Sequence, residues 1–300
     1  MHEITNKVDF YITNVCNLTC DRCNRFNNHN FRGWQRWSDY EAQYEQWGRV
    51  VQLKAATIMG GEPFLNPTLG DWITGINRIF GIDVQVLTNG TRLNQSRALY
   101  EKLLYRSPRT GSTNHIGVSL HNLADQEQLL ADVRAFFPVP FKEYLKGSPE
   151  NIWNSDWFFK DTNGVVINVY IVNQFGAAAI RPTISRMTRP IQQQFHLHNS
   201  DPAQAHHTCA FAQFKSYHYI RGRLYKCGPV ALMPEFDQQH TLQISDQDRV
   251  LLNSYQSLGV DNFEEYHQEF FENLDKPIAQ CKFCPEISTS KTIMPIRKGL

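Results

Sequence analysis

Apolar and polar residues alternate along the first 180 residues in a repeated order of strand followed by helix. Runs rich in β-branched residues predict strands at residues 8–12, 56–59, 83–90, 115–121 and 165–172. The intervals predict helices at residues 38–51, 66–81, 94–105 and 124–137, with a capping box formed by Ser38 and Glu41 and a stop at Gly81. Strands that alternate with amphipathic helices indicate a parallel sheet with crossover helices.

Two segments depart from this repeat. Residues 141–160 include Trp153, Trp157 and Phe158 and are longer than an ordinary connection, so we expect either a surface helix packed on the sheet or a wall of the substrate site. Residues 216–227 consist of an alternating run, a glycine turn and a second run, which predicts a β-hairpin.

Charge and hydropathy restrict the partners of the 300-residue chain. Its 30 basic and 29 acidic residues give a net charge of +1, so there is no general electrostatic basis for nucleic-acid binding. No apolar run approaches the ~18 residues of a membrane span, and the first residues lack the layout of a signal peptide. We therefore expect a cytoplasmic protein without a membrane partner, whose seven cysteines form a metal framework rather than disulfides.

Three cysteines follow the first predicted strand with the spacing C-x3-C-x2-C. Cys16, Cys20 and Cys23 leave one position open on a four-metal cluster, whereas a structural zinc site needs four protein ligands. The residues alone leave two alternatives, which are a zinc site completed by a nearby histidine such as His29 and three free thiols.

A glycine-rich segment ends the second predicted strand. Gly60 and Gly61 would let the backbone approach a ligand closely, Glu62 could accept a hydrogen bond from an ammonium group, and Pro63 would stiffen the exit. By itself this segment would be only a turn.

These two motifs together resemble the radical S-adenosylmethionine (SAM) enzymes. That family has C-x3-C-x2-C after the first strand of a partial (β/α)6 TIM barrel, and a Gly-Gly-Glu-Pro segment that binds the amino end of SAM. The resemblance implies a [4Fe-4S] cluster on Cys16, Cys20 and Cys23 and SAM bound at Gly60, Gly61, Glu62 and Pro63. A sixth strand near Phe195 or Tyr217 would complete the barrel.

Polar residues at further strand ends extend the predicted SAM site. By analogy with the family, Ser119 is the ribose contact, and Thr88 and Asn89 lie near the methionine or the substrate. Each could equally cap a turn. Arg22 stands before the third cysteine, where the family usually has an aromatic residue, and its guanidinium plane could stack on adenine instead.

The last four cysteines resemble the auxiliary-cluster extension called the twitch domain, within the SPASM/twitch subgroup. Cysteine, hairpin, cysteine and a final C-x2-C follow in the same order there, at Cys209, Cys227, Cys281 and Cys284 here. The residues alone also allow a zinc site. The resemblance implies a second, fully ligated [4Fe-4S] cluster, with the barrel at residues 1–200 and a β-hairpin-plus-helix extension at residues 201–300.

The resemblance also implies a reaction. A flavodoxin or ferredoxin-type reductant would supply an electron, SAM would be cleaved to a 5′-deoxyadenosyl radical, and the radical would take hydrogen from a small-molecule or peptide substrate. With the second cluster as electron acceptor, the enzyme would be an oxidoreductase of the dehydrogenase kind. The alternatives are a peptide-modifying enzyme with a separate leader-binding partner and a non-catalytic zinc or iron–sulfur protein.

No residue stands out as the catalytic base. The candidates for a base or a substrate anchor are Arg181, Arg186, Arg189, His196, His198 and His207. A solvated basic linker is the favoured interpretation of most of these positions.

Overall fold

A computed structural model describes most of the chain. The described residues are 1–20, 23–146, 156–172, 181–185, 192–209, 211–212, 217–286 and 296–298. Among them no helix combines the length and the apolar character needed to cross a bilayer.

The centre of the molecule is a nine-stranded, largely parallel sheet with the order β12-β11-β1-β3-β4-β5-β8-β7-β6. Its parallel strands are β1 (His2–Tyr11), β3 (Val51–Met59), β4 (Val84–Thr88), β5 (His115–Leu120), β8 (Val166–Ile171) and β11 (Tyr217–Ile220). The five strands predicted within the first 180 residues are confirmed. The mixed α/β fold is consistent with a partial barrel.

The sixth parallel strand comes from the hairpin. Strand β11 pairs parallel with β1 and antiparallel with β12 (Arg223–Tyr225), so the hairpin predicted at residues 216–227 is confirmed in its described part. The sheet therefore continues past residue 200, and Tyr217 and Tyr219 belong to the same hydrophobic cluster as Phe10. The division into residues 1–200 and 201–300 stays a prediction.

Helices cover the sheet and the C-terminal part. Their bounds are α1 (Glu41–Val50), α2 (Leu69–Phe80), α3 (Tyr100–Leu103), α4 (Gln126–Phe136), α5 (Pro202–His207), α6 (Gly228–His240), α7 (Asp246–Asn253) and α8 (Phe263–Asn273). Gly81 ends α2 with a φ of 65°, as predicted, because glycine adopts this left-handed conformation without a Cβ clash.

Two helix predictions are wrong in detail. The capping box does not form: Ser38 lies in a 3-10 turn, Trp37–Asp39, and α1 begins at Glu41 without a side-chain cap. Residues 94–105 divide into 3-10 turns and the short α3, because Asn94 and Ser96 are poor helix formers that compete for backbone hydrogen bonds.

In its described residues, 141–146 and 156–160, the aromatic segment after α4 forms strands rather than a surface helix. Strand β6 (Phe141–Lys146) pairs with β7 (Asp156–Asp161), and β7 pairs with β8. The side chains of β7 alternate in burial, with Trp157 and Phe159 packed in the core, which is the period of two that defines a strand. Trp153 lies outside the described residues.

The two faces of the sheet carry different cores. Phe10 packs on the helical face, with ring centroids 5.4 Å from Tyr44 of α1 and 5.9 Å from Phe80 of α2. Tyr11, the next residue of β1, packs instead with Phe236 of α6 and Phe283. The face opposite α1 and α2, called the inner face below, therefore contacts the C-terminal part of the chain.

Two further strand pairs lie outside this sheet. Strands β9 (Arg181–Ser185) and β10 (Gln192–His196) pair with each other. Near the C-terminus β13 (Ile296–Lys298) pairs antiparallel with β2 (Leu18–Cys20), which runs through the three-cysteine loop.

Candidate functional site

The three early cysteines lie on one loop at the carboxyl end of β1. Cys20 is buried, whereas Cys16 and Cys23 are partly exposed, and the N–H of Cys23 donates to the carbonyl of Cys20 at 3.2 Å. Burial and then the neighbouring Cys23 and Cys16 raise the pKa of the Cys20 thiol to about 12. The loop thus brings three thiols within electrostatic reach of one another.

Nitrogen donors surround Cys16. The backbone N–H of Leu18 lies 3.5 Å from its sulfur and the side-chain nitrogen of Asn89 lies 3.9 Å from it. Burial raises the pKa of Cys16 to about 11, and these donors act in the opposite direction because they favour the thiolate. A metal-binding thiolate at Cys16 would therefore have donors already in place.

Gly60 and Gly61 pack against the cysteine loop. A Cβ on Gly60 would lie 2.5 Å from the carbonyl oxygen of Thr13, and one on Gly61 would lie 2.3 Å from that of Val15. The N–H of Gly61 donates to Thr13 at 2.7 Å and that of Glu62 donates to Val15 at 2.8 Å. In the described residues, the close approach that requires glycine here is to the loop that carries the cysteines.

Glu62 links two strand ends. Its carboxylate is fully buried and accepts from the Thr88 hydroxyl at 2.6 Å and the Asn89 N–H at 2.8 Å. It also accepts from the N–H of Phe64 at 3.0 Å, at the 3-10 turn that begins with Pro63. Burial raises the pKa of Glu62 to about 6 despite these donors. Most of the carboxylate's capacity as an acceptor is therefore used in joining β3 to β4.

Thr88 and Asn89 complete the link to the cysteine loop. Thr88 is buried and, besides donating to Glu62, accepts from the N–H of Gly90 at 3.0 Å. The Asn89 side chain donates to Asn17 at 2.9 Å, in the middle of the cysteine motif. The structure therefore brings the predicted residues of β3 and β4 together with the first cysteine group.

Ser119 lines a cavity of about 210 Å³ at the ends of β4 and β5. Leu18 and Asn89 line the same cavity, which places it beside the cysteine loop. The Ser119 hydroxyl donates to that of Tyr170 at 3.1 Å. His121 also lines the cavity, and burial lowers its pKa to about 4, so the ring is neutral near pH 7.

Several predicted residues have no described side chain. Arg22, Arg186 and Arg189 lie outside the described residues, and only the backbone of Arg181 is described, at the start of β9. His196 ends β10, His198 follows it, and His207 ends α5.

The four late cysteines come from three separate segments. Cys209 follows α5, Cys227 precedes α6, and Cys281 and Cys284 lie in and just after the 3-10 turn Ala279–Phe283. Burial, followed by the effect of the other three cysteines, raises the pKa of Cys284. The fold thus brings all four thiols within electrostatic reach of one another.

Burial raises the pKa of the Cys227 thiol to about 12, and two features of its surroundings oppose this rise. Cys227 occupies the N-cap position of α6, and although it makes no side-chain cap hydrogen bond, the backbone N–H of Val230 favours its thiolate. Lys226, which is largely buried, donates to the carbonyl of Leu274.

The donor chemistry of both groups fits iron–sulfur clusters. Among the described residues, no three His, Cys, Asp or Glu side chains converge as ligands for a single metal ion. A cubane cluster makes a different demand, since its thiolate ligands bind separate iron atoms. Cys16, Cys20 and Cys23 could supply three such ligands, and the late group could supply four.

The sequence interpretation missed a polar group on the inner face. Asp9, Arg25, Thr57 and His218 are all buried, and Asp9 is in register with Thr57 on β3 and with His218 on β11. Burial raises the pKa of Asp9, and Arg25 opposes this rise. The sequence did contain a signal for this group, which is the charged Asp9 between the apolar Val8 and Phe10. Because side chains alternate along a strand, Asp9 faces away from the helices that Phe10 contacts.

Comparison with known proteins identifies a related family for part of the chain. Residues 10–147 match the model described as the Radical SAM superfamily. Among curated proteins none matches the chain.

Solved structures of SuiB from Streptococcus suis share a limited similarity. The structure bound to S-adenosylmethionine is 18% identical over 41% of this chain and 27% of that one, with a TM-score of 0.31. The structure bound to the precursor peptide SuiA is 18% identical over 41% and 26%, with a TM-score of 0.33. The matched region spans about a quarter of the length of SuiB.

Proposed function

We propose that this chain, whose residues 10–147 match the model of the Radical SAM superfamily, cleaves SAM reductively and abstracts hydrogen from a substrate on the inner face of the sheet. Cys16, Cys20 and Cys23 hold the catalytic [4Fe-4S] cluster. The observation that carries the proposal is the junction of the cysteine loop with the end of β3, where Gly61 and Glu62 donate to Thr13 and Val15.

When bound, the cluster supplies the electron that divides SAM into methionine and a 5′-deoxyadenosyl radical. The chain's own residues position SAM for this step. Glu62 and Thr88 hold the ends of β3 and β4 together, so that backbone groups at residues 60–63 can bind the methionine part. Asn89 and Ser119 line the cavity beside the loop and contact the methionine or the ribose. Arg22, which lies outside the described residues, would be the residue that stacks on adenine.

The second cysteine group would hold a [4Fe-4S] cluster, which would supply an acceptor for the electron released in a net oxidation of the substrate. Four thiolates close the coordination of a [4Fe-4S] cluster, and a closed cluster transfers electrons more readily than it binds substrate. The N-terminus of α6 and the neighbouring Lys226 place positive charge next to this group. Positive charge favours the more negative, reduced state of a cluster, which suits an electron acceptor.

Anaerobic purification followed by metal and product analysis tests the proposal. We expect about eight iron atoms per chain, four for each cluster. With SAM and dithionite the protein should form 5′-deoxyadenosine. One zinc per cysteine group, no iron and no 5′-deoxyadenosine would favour the non-catalytic alternative instead. A flavodoxin or ferredoxin should replace dithionite as the reductant.

A further inference from the structure

The inner face of the sheet holds a buried pair of opposite charges that the proposed SAM site does not use. Asp9 lies on β1, and Arg25 follows the third cysteine, reaching the same face from the loop. Each is only 5% exposed. Burial of charge is costly unless the charges are paired and hydrogen-bonded, so the contacts of this pair decide what it does.

The two side chains are close but make no direct hydrogen bond. Nη2 of Arg25 is 4.0 Å from Oδ2 of Asp9, and it donates instead to the sulfur of Met59 at 3.0 Å. A carboxylate is a much stronger acceptor than a thioether. The arrangement therefore leaves the stronger acceptor available to another donor.

Both members of the pair keep unused polar atoms. Nε and Nη1 of Arg25 are buried and have no hydrogen-bond partner within the described residues, and Oδ1 of Asp9 has none at hydrogen-bond distance, although the Thr57 hydroxyl is near enough to lower the pKa of Asp9. Buried polar atoms in native proteins are nearly always satisfied, by protein, water or ligand. These atoms thus need a partner beyond the described residues, which is water, another part of the chain or a ligand.

Three residues of the C-terminal part lie close to Asp9 and Arg25. The ring of Phe211 lies 4.9 Å from the guanidinium carbon, and a Cβ on Gly228 would lie 2.6 Å from Nη1 of Arg25. Nε2 of His218 lies 3.4 Å from Oδ2 of Asp9. The C-terminal part of the chain therefore helps to enclose the pair.

The unused atoms specify the chemistry of their partner. An ionised carboxylate only accepts hydrogen bonds, and a guanidinium only donates them. A partner that satisfies both must donate to Asp9 and accept from Arg25. A carboxylate only accepts, a phosphate is an anion even where it keeps a proton, and both would be repelled by Asp9, whereas an ammonium only donates and would be repelled by Arg25.

We propose that Asp9 and Arg25 bind an uncharged part of the substrate that donates and accepts hydrogen bonds on adjacent atoms, as vicinal hydroxyls and primary carboxamides do. The assignment rests on the proposed function, because it places the substrate of that reaction on the inner face. The proposal specifies the chemical class of the substrate group that contacts Asp9 and Arg25. It disfavours substrates that would contact this pair through a phosphate.

Saturation-transfer NMR on the full chain tests this assignment with small probes. The neutral probes are cis-1,2-cyclohexanediol and propanamide, and the charged ones are acetate, inorganic phosphate and methylammonium. We expect saturation transfer to at least one neutral probe and little to the charged ones, with inorganic phosphate followed by its 31P signal. The stronger of the two neutral signals tells whether hydroxyls or a carboxamide suit the site. Transfer to none of the neutral probes would overturn the proposal.

Variants then locate the binding. Asp9→Asn replaces an acceptor by a group that also donates, and we expect at least about tenfold weaker binding of the neutral probe. Asp9→Glu keeps the charge that balances Arg25 but shifts the oxygens, and it serves if Asp9→Asn does not fold. Asp71→Asn, on the exposed surface of α2, is the matched control and should bind normally. Unchanged binding in the folded Asp9 variants would refute the assignment.

The outcome is separable from that of the proposed function. Iron content and 5′-deoxyadenosine formation of the wild-type chain test the SAM chemistry without any probe of the inner face. Loss of probe selectivity with normal SAM cleavage would reject only this binding site, whereas absent iron with selective probe binding would reject only the SAM chemistry.

Discussion

The two cysteine groups differ in how the chain assembles them. Cys16, Cys20 and Cys23 lie within eight residues on one loop, which backbone hydrogen bonds attach to the end of β3. The late group is collected from the end of α5, the start of α6 and a 3-10 turn, across 76 positions from Cys209 to Cys284. The first group depends on one local junction, and the second depends on the packing of the whole C-terminal part.

Because of this difference, a given substitution should disturb one cysteine group and not the other. A change at the end of β3 should disturb the first group and leave the second intact, because the contacts of Gly61 and Glu62 are with the loop and with β4. A change among the C-terminal elements should do the reverse. Iron content reports on both groups, because each is expected to hold four iron atoms.

Single cysteine substitutions should give the largest effects. Cys16→Ala removes a ligand of the catalytic cluster, so we expect loss of SAM cleavage and of about half of the iron. Cys281→Ala should also lose about half of the iron but keep some SAM cleavage, without forming the oxidised product. The measurement is iron content together with 5′-deoxyadenosine assayed anaerobically. Equal loss of SAM cleavage in both variants would remove the functional distinction between the groups.

Gly61→Ala should damage the first group alone. Its Cβ would lie 2.3 Å from the carbonyl oxygen of Val15, and that contact is with backbone, which cannot rotate away. We expect a loss of about 1–3 kcal/mol in the free energy of unfolding and a lower iron content with the second cluster retained.

The control for this substitution is Gly70→Ala on α2. Its nearest neighbour, a side-chain methyl of Leu99, would be 3.6 Å from the new Cβ. We expect unchanged stability or a gain of less than about 1 kcal/mol by urea denaturation. A comparable loss of stability and iron at both glycines would contradict the role assigned to the junction.

Glu62 should make stability depend on pH. Its folded-state pKa of about 6 lies above the ordinary 4.5, so the native chain holds the proton more tightly than the unfolded chain. Its contribution is fully present below the unfolded pKa and is lost as pH rises through the folded one. The wild type should lose about 1 kcal/mol between pH 5 and pH 7 from this group.

Glu62→Gln removes this titration. Urea denaturation at the two pH values should show a smaller decrease in the variant than in the wild type. The variant should also be less stable by about 1–3 kcal/mol where Glu62 is ionised, because its amide nitrogen cannot accept from Thr88 or Asn89. An identical pH response in both proteins would argue against a titrating Glu62.

Asp248→Asn should give the smallest effect, on the second group. Asp248 of α7 accepts from Lys282 at 2.6 Å, which ties that helix to the turn carrying Cys281. Both side chains are about a quarter to a third exposed, so we expect a loss of less than about 1 kcal/mol, measured by urea denaturation. The catalytic cluster should keep its iron. Loss of iron from the catalytic cluster alone would contradict the expectation that changes in the C-terminal part affect only the second group.

Local patterns predicted much of the fold and of the site. The apolar runs located β1, β3, β4, β5 and β8, because strand burial repeats along the chain itself. They failed at residues 141–160, where β7 pairs antiparallel with β6 on one side and with β8 on the other, so that positions 157, 159 and 161 are buried in a sheet rather than on a helix. Motif spacing likewise predicted that Cys16, Cys20 and Cys23 share one loop. It did not predict that the Glu62 carboxylate would accept hydrogen bonds from Thr88 and Asn89.

The sequence by itself determined the elements whose contacts are local: the strand-helix repeat, the three-cysteine loop and the glycine turn at the end of β3. The sequence left the sixth strand open between the regions of Phe195 and Tyr217, and the structure shows Tyr217–Ile220 in that place, parallel to β1. That pairing places His218 beside Asp9, and the loop after Cys23 brings Arg25 to them. The physical reason is that a hydrogen bond or an ion pair between residues 200 positions apart depends on strand register and loop path, which no short pattern encodes.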